Sequence, residues 1–297
     1  MHYVISDVHG CYDEMMALID KIEAMDEEAV FVFVGDFIDR GSQVNKVLSW
    51  CLDNITENGK YRAVRGNHEQ LVIEWYEEWL RWWHDYGRFG VMKSLMPDSD
   101  YDFSIWMDAL NLLTPKKLEP YIELFKSLPL NREITATTAS GKQQTYCIVH
   151  AFHDYSEGVE EYEQEDIHLW SREYDGKHVN DVIIVHGHTP TLVSEYTEQV
   201  GDYSRPGMIC YRKNDINLDG GCVYSELYPA YPSSLCGICL ETLEEIYSCS
   251  LEERFMANCK DVVKAQEYYE KYIEKYGKDK SRFREEILKW LDLNESM

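Results

Sequence analysis

Short apolar runs that end in polar clusters alternate with amphipathic stretches through the first part of the chain. MHYVI runs into SDVHG, AVFVFVG runs into DFIDRG, and YRAVRG runs into NHE. The stretches between these runs, YDEMMALIDKI and the segment that carries Val44, Val47 and Leu48, have apolar residues at helical spacing. These patterns predict the element order β-α-β-α-β. In sheets of this kind, ligands bind at the carboxyl ends of the strands, where each polar cluster falls.

The next segment, from Glu69 to about Leu128, is rich in tryptophan and has a helical pattern. Its apolar positions at helical spacing are Leu71, Trp75, Trp79 and Trp82 or Trp83. We interpret the segment as a helical insertion and its tryptophans as core residues rather than as a platform for nucleic acid bases. The runs QQTYCIVH, DVIIVHG, INLDGG and SSLCGICLET then predict further strands.

The end of the chain is charged and helical, with tyrosine and apolar residues at helical spacing on both sides of Gly277. No internal repeat or low-complexity linker divides the chain. The sequence therefore predicts one catalytic domain over residues 1–250, with a helical insertion at about 70–128, and a C-terminal helical appendage over residues 251–297. The appendage is a candidate docking site for a partner.

Composition limits the class of protein. A chain of 297 residues with 44% apolar residues can bury a full core. No apolar run reaches the roughly 18 residues of a membrane helix, and a strand at the very start leaves no room for a signal peptide. We therefore expect a soluble, cytoplasmic protein without a membrane partner. Nine cysteines without disulfide spacing predict reduced thiols. Cys236 and Cys239 should point to opposite faces of a strand, which disfavours a zinc site there.

Charge limits the partners. The formal net charge of −25 repels nucleic acid backbones, whose binding depends on basic surfaces, so we expect no nucleic acid partner. A phosphate substrate would have to be attracted by metal ions and arginines close to the site.

The polar clusters at the predicted strand ends carry metal-binding side chains. Asp7 and His9 are two residues apart and can face the same ion. The carboxylate of Asp36 can bridge two ions roughly 3.5 to 4 Å apart. Three further candidates follow other strands: Asn67, His150 and His188. These oxygen and nitrogen ligands suit manganese, iron or zinc, and we expect two divalent ions, with manganese as the first candidate.

Each of these residues, taken alone, has an ordinary structural explanation. Aspartate and asparagine at strand ends cap helices, and a lone histidine is usually a core or surface residue. The combination of five clusters, each after a β-type run, is the specific signal.

The motifs SDVHGCYDE, VGDFIDRG, YRAVRGNHEQ, the strand ending at His150, and HGHTP resemble the phosphoprotein phosphatase family of calcineurin-like metallophosphoesterases. The likeness is closest to the phage lambda-type bacterial serine/threonine protein phosphatases. It covers residues 1 to about 245, and it departs from the family at Ser6, where glycine is usual. The resemblance implies an α/β (α+β) fold, a four-layer β-sandwich flanked by helices, with two metals at the edge of the central sheet.

The residues beside the ligands suggest a reaction. Arg40 and Arg65 can bind phosphate oxygens in a bidentate manner, and Arg172 resembles the family's later phosphate-binding arginine, with a surface ion pair as its alternative role. A metal-bridging hydroxide can attack phosphorus. His68 is the candidate general acid, and Asp39 can hold its ring protonated, a pair that resembles the family's own.

The sequence therefore predicts a phosphomonoesterase, a hydrolase of phosphoserine or phosphothreonine proteins that also has phosphotyrosine and small phosphoesters as candidate substrates. The alternative is a hydrolase of dinucleoside polyphosphates such as diadenosine tetraphosphate, which shares nearly all of these motifs. A metal-binding regulatory module without activity is disfavoured by the intact arginines and His68. A nuclease is disfavoured by the acidic chain.

Overall fold

The computed structural model describes residues 1–86, 115–138, 140–156, 158–172, 181–193, 205–212 and 214–276. Within this part of the chain, ten strands form two sheets of five. The first sheet has the order β10-β9-β1-β2-β3 and is formed by β1 (His2–Ile5), β2 (Val30–Phe33), β3 (Tyr61–Ala63), β9 (Cys236–Cys239) and β10 (Glu245–Tyr247). The second has the order β4-β5-β6-β8-β7 and is formed by β4 (Asn131–Thr137), β5 (Gln143–Val149), β6 (Val182–His186), β7 (Cys210–Arg212) and β8 (Asp215–Asn217).

The strands that precede the polar clusters are parallel neighbours. In the first sheet β1 pairs with β2 and β2 with β3 in parallel register, and in the second sheet β5 pairs with β6 in the same way. The carboxyl ends of neighbouring parallel strands lie at one edge of a sheet. The predicted β-α-β-α-β order is confirmed by this arrangement.

The helices of the described residues mostly flank the first sheet. They are α1 (Tyr12–Met25), α2 (Val44–Asn54), α3 (Asn67–Tyr86), α4 (Pro115–Ser127), α5 (Glu161–Trp170), α6 (Leu251–Asn258) and α7 (Val262–Tyr276). The buried stripe of α1 is the predicted one, since Met15, Leu18, Ile19 and Ile22 all face the core. None of the helices in the described segments is long and apolar enough to cross a membrane.

Two large cores hold the layers together. One lies between the sheets, because buried residues of both sheets contact each other there, among them Val4 and Val32 of the first sheet and Ile148 and Val185 of the second. The other lies between the first sheet and helices α1 to α4. Burial of these apolar surfaces is the main driving force of the fold. The structure is thus the mixed α/β sandwich that the sequence resemblance implied.

Cys236 and Cys239 follow the predicted strand geometry. Both side chains are fully buried, with Cys236 in the core between the sheets and Cys239 in the core beneath the helices. The two thiols therefore lie on opposite faces of β9.

The predicted helical insertion begins with α3 and ends with α4. Trp75 packs in the helix-facing core, as predicted. The side chains of Trp79, Trp82 and Trp83 lie outside the described residues, as does the stretch 87–114.

The C-terminal helices α6 and α7 pack on the sandwich. Arg254 donates a hydrogen bond to the Pro232 carbonyl at 3.0 Å, and the Tyr272 hydroxyl donates to the Pro206 carbonyl at 3.0 Å. Phe255 and Tyr272 are buried, with ring centroids 5.6 Å apart. The domain boundary at residue 250 stays a prediction, as does docking of a partner on the appendage. Residues 277–297 lie outside the described part.

Candidate metal centre and active site

The six predicted metal ligands converge at the edge where the two sheets meet. Each one follows a strand or begins the helix after it, and each is at least nine-tenths buried. They are Asp7, His9, Asp36, Asn67, His150 and His188. A buried cluster of polar and ionisable side chains is characteristic of a functional site.

His150 is the centre of one half of the cluster. Its Nε2 lies 2.8 Å from Asn67 Oδ1, 3.1 Å from His188 Nδ1 and 3.5 Å from Asp36 Oδ2. The backbone amide of His188 donates to Asp7 Oδ1 at 3.0 Å, which draws the end of β6 towards the end of β1. One ion could therefore be reached by side chains from both sheets.

His9 lies in the other half of the cluster. Its Nδ1 is 2.7 Å from the Ile38 carbonyl, which fixes the proton on Nδ1 and leaves the Nε2 lone pair towards Asp36 Oδ2 at 3.3 Å. The guanidinium of Arg40 lies against this same lone pair. The positive charge of Arg40 therefore lies beside His9 Nε2, the atom that would bind a metal ion.

Two groups of potential ligand atoms share one carboxylate. Within the described residues, His9, Asp36 and His68 place potential ligand atoms within 4.8 Å of one another, and so do Asp36, His150 and His188. Asp36 belongs to both groups, as a bridging carboxylate should.

The protonation states of three of the predicted ligands also fit, whereas burial and the carboxylates of Asp219 and Asp36 raise the pKa of Asp7. Burial lowers the pKa of His9 to about 3 and lowers the pKa of His150, so that both imidazoles are neutral, as metal ligands must be. The pKa of Asp36 lies below its usual range, because the surrounding imidazoles, His150 first, outweigh the effect of burial.

The backbone is strained at this cluster. Among the described residues other than glycine, six have a positive φ, and five of these are predicted site residues: His9, Asp36, Asp39, Arg40 and His188. Such conformations cost free energy and persist where the surrounding structure over-determines them, which is typical of active sites.

The family comparison agrees with this geometry. A model of the family described as calcineurin-like phosphoesterases matches residues 3–219. The chain belongs to the calcineurin-like phosphoesterases. Members of this phosphoesterase family use divalent metals, and the His and Asp groups described above could hold them.

Individual relatives of this phosphoesterase have different activities. It is 27% identical over 249 residues to the asymmetrical bis(5'-nucleosyl)-tetraphosphatase PrpE of Bacillus velezensis. That alignment covers 74% of this chain and 84% of the relative. It is 28% identical over 174 residues to serine/threonine-protein phosphatase 1 of Salmonella typhimurium. That alignment covers 58% of this chain and 68% of the relative. A zinc-dependent endopolyphosphatase of Saccharomyces cerevisiae is 39% identical over 112 residues, 37% of this chain and 27% of the relative.

The relatives therefore differ in how much of them this phosphoesterase spans. Its match covers only 27% of the yeast protein and 30% of the PrpE protein of Bacillus subtilis. A solved structure of a candidate diadenosine tetraphosphatase superposes with a TM-score of 0.50 at 15% identity, over 83% of this chain and 91% of that chain. That superposition shows the shared fold. The predicted closeness to the phage lambda-type phosphatases stays a prediction.

His68 and Asp39 form the predicted pair. His68 Nδ1 lies 2.5 Å from Asp39 Oδ2, and His68 Nε2 lies 3.8 Å from Asp36 Oδ2. Burial opposes a charged ring, but the charges of Asp36 and Asp39 outweigh it and raise the pKa of His68. The geometry allows His68 to act either as a metal ligand or as a proton donor, and its Asp39 bond favours the protonated ring that a donor needs.

Two of the three predicted arginines lie beside the cluster. Arg40 contacts His9, and Arg172 donates to Thr189 Oγ1 at 3.4 Å, next to His188. After burial and His150, the charge of Arg172 is a further cause of the lowered pKa of His188. Both guanidinium groups are thus near the ligands.

Arg65 has other partners. It donates to Gln70 Oε1 at 2.7 Å and to the Leu128 carbonyl at 3.2 Å, and it thereby links the start of α3 to the end of α4. These contacts give it a structural role, and phosphate binding by Arg65 stays a prediction.

Glu69 is a site residue that the sequence analysis did not single out. Its side chain is fully buried and accepts hydrogen bonds from the backbone amides of Asp36 at 2.8 Å, Phe37 at 2.9 Å and Gly66 at 3.0 Å. It ties the end of β2 to the end of β3. Its place one residue after His68, inside the NHE motif, was the available signal.

Asp219 is a second residue that was missed. It is buried, and its Oδ1 accepts from the Gly221 amide at 2.9 Å. Burial raises its pKa to about 6, the Gly221 amide and the charge of Arg40 oppose that rise, and the charge of Asp36 adds to it. Its position after β8, in the run INLDGG, was a strand-end signal of the same kind as the others.

Proposed function

We propose that this phosphoesterase hydrolyses phosphate esters or anhydrides at a centre of two divalent ions, with manganese as the first candidate metal. The observation that carries the proposal is the shared position of Asp36, which belongs to two adjoining groups of potential ligands. His68 belongs to one of these groups, and Arg40 contacts His9 of that group. A mononuclear or purely structural metal site would need neither the bridging carboxylate nor these neighbours.

The predicted site residues have separate roles in holding the metal ions and binding the phosphate. Asp7, His9, Asp36, Asn67, His150 and His188 would hold the ions. Two divalent ions bound here supply a water molecule that is acidic enough to serve as nucleophile at neutral pH. Arg40 and Arg172 bind and orient the phosphate oxygens.

His68 donates a proton to the leaving oxygen. Asp39 accepts the Nδ1 hydrogen bond and keeps the ring protonated, so that the Nε2 proton is available on the side of Asp36. The leaving alkoxide would otherwise depart as a strong base. We therefore assign His68 as the general acid and Asp39 as the residue that orients it.

Two substrate classes fit this chemistry. Phosphoserine or phosphothreonine in proteins is the class that the motifs favour, and serine/threonine-protein phosphatase 1 of Salmonella typhimurium is a relative. Dinucleoside polyphosphates are the second class. A specific observation favours them, because the alignment with a bis(5'-nucleosyl)-tetraphosphatase covers 84% of that relative.

A comparison of kcat/KM on three substrates tests the proposal. The full chain loaded with Mn²⁺ is assayed with p-nitrophenyl phosphate, a phosphoserine peptide and diadenosine tetraphosphate. We expect hydrolysis of p-nitrophenyl phosphate that stops when the metal is chelated. A preference of more than about tenfold, equivalent to about 1.4 kcal/mol of transition-state stabilisation, assigns the substrate class. Metal binding without hydrolysis of any of the three would contradict the proposed activity.

A further inference from the structure

An exposed tryptophan lies against a predicted metal ligand. Trp170 is 41% exposed, and its ring is perpendicular to the His188 ring at a centroid distance of 6.4 Å. It is the last residue of α5, two residues before Arg172. A large aromatic side chain with this exposed fraction, beside a buried polar cluster, contributes little to the core and is accessible to a ligand.

A second exposed aromatic residue lies on the Arg40 side. The guanidinium of Arg40 lies over the Tyr224 ring, 5.7 Å from its centroid. Tyr228 packs edge-on against Tyr224 at 6.4 Å and is 42% exposed. Tyr224 itself is half-buried, so Tyr228 is the ring that presents its surface to solvent.

Each of the two exposed rings is linked to one of the two arginines. Burial raises the pKa of Tyr224, and the charges of Arg40 and Arg172 both oppose that rise. Trp170 packs edge-on against His188 and precedes Arg172 by two residues, whereas Tyr228 contacts Tyr224, over which Arg40 lies. Phosphates held by the two arginines would therefore have an exposed aromatic ring in the neighbourhood of each arginine.

We propose that Trp170 and Tyr228 stack on nucleobases of the substrate and thereby select a nucleotide polyphosphate. This inference rests on the proposed function and deepens its second substrate class. Aromatic side chains bind bases by stacking, and such stacking tolerates any base because every base has a π face. Stacking is also the attraction that a chain with a net charge of −25 can offer a polyanion outside the reach of its arginines.

The test compares Trp170→Leu and Tyr228→Leu, which keep apolar bulk but remove the ring, with Tyr162→Leu as the matched control. Tyr162 is 66% exposed and belongs to the same helix as Trp170, at its other end. The substrates are diadenosine tetraphosphate and inorganic tripolyphosphate, which has anhydride bonds but no base. We expect the ratio of kcat/KM for the dinucleotide to that for tripolyphosphate to fall about tenfold in each ring variant, mainly through KM.

A binding measurement gives a readout without turnover. Dissociation constants for AMP and inorganic phosphate are measured by isothermal titration calorimetry on each metal-loaded variant. The preference for AMP over phosphate should fall about tenfold in Trp170→Leu or Tyr228→Leu and should not change in Tyr162→Leu.

The outcomes separate this inference from the proposed function. Equal losses on the two substrates would show a structural role of the rings, and an unchanged ratio would show no role, so either result overturns the inference. A selective loss on a phosphopeptide that contains aromatic residues would replace the base with a peptide as the occupant. A wild-type protein that hydrolyses none of the substrates would instead overturn the proposed function.

Discussion

The His68→Gln variant should lose about 10²- to 10⁴-fold in kcat on an alkyl phosphate such as phosphoserine, while it retains its bound metal ions. Glutamine can still form a hydrogen bond with Asp39 but cannot donate a proton to the leaving oxygen. The measurement is steady-state hydrolysis of wild type and variant at saturating Mn²⁺, combined with metal analysis of both proteins.

Leaving groups distinguish the role of His68 as a general acid from a role as a metal ligand. A p-nitrophenolate leaving group needs little protonation, so the loss on p-nitrophenyl phosphate should be much smaller than the loss on phosphoserine. The matched control is His2→Gln, because His2 pairs with Glu241 at the opposite end of β1. If His68→Gln loses a metal ion, or loses activity equally on both substrates, His68 is a ligand and the assignment is wrong.

The Asp36→Asn variant should lose about a thousandfold or more in kcat on both substrates. Asparagine keeps the shape of the side chain and can still accept the His68 amide bond, which Asp36 Oδ1 accepts at 3.0 Å. Asparagine has no negative charge with which to bridge two metal ions. Activity should fall because bound metal ions contribute several kcal/mol to stabilising the transition state. Metal analysis of the purified protein should show fewer bound ions than in wild type.

The control for that variant is Asp26→Asn, which removes a carboxylate from the ion pair with the N-terminal amine, outside the metal cluster. It should retain full metal content and activity. An Asp36→Asn protein with two tightly bound ions and near wild-type activity would show that Asp36 does not bridge the metal ions.

The polar clusters were predictable from the sequence because strand geometry places them. Asp7 and Asp36 follow parallel neighbours, β1 and β2, so that their meeting at one edge required only the correct assignment of two short apolar runs. His150 and His188 belong to a different sheet, and their approach to Asp36 follows from the packing of one sheet on the other. The family resemblance predicted that packing, whereas the local pattern did not.

The residues that support the site were harder to predict. Glu69 accepts hydrogen bonds from three backbone amides, and these bonds depend on how separate loops fold together. Its place in the NHE motif indicates a site residue but not these partners. Arg65 shows the converse case. It stands one residue before a glycine in a polar motif, and its contacts with Leu128 and Gln70 could not be predicted from that motif, while phosphate binding by Arg65 stays a prediction.

Some strands also lacked a pattern. β4 carries charged residues and alternates incompletely, while β7 and β10 are only three residues long. Their pairing with longer neighbours places them in the sheets, and that information is not local. The prediction was strongest for long periodic segments such as α1 and for strands that end in a polar cluster.

Titration of the metal-free protein with Mn²⁺, with hydrolysis of p-nitrophenyl phosphate followed at each step, tests the central claim most directly. The two groups of potential ligands that share Asp36 predict that activity is absent without metal and reaches its plateau at two ions per chain. A plateau at one ion, or full activity after complete removal of metal, would contradict the account.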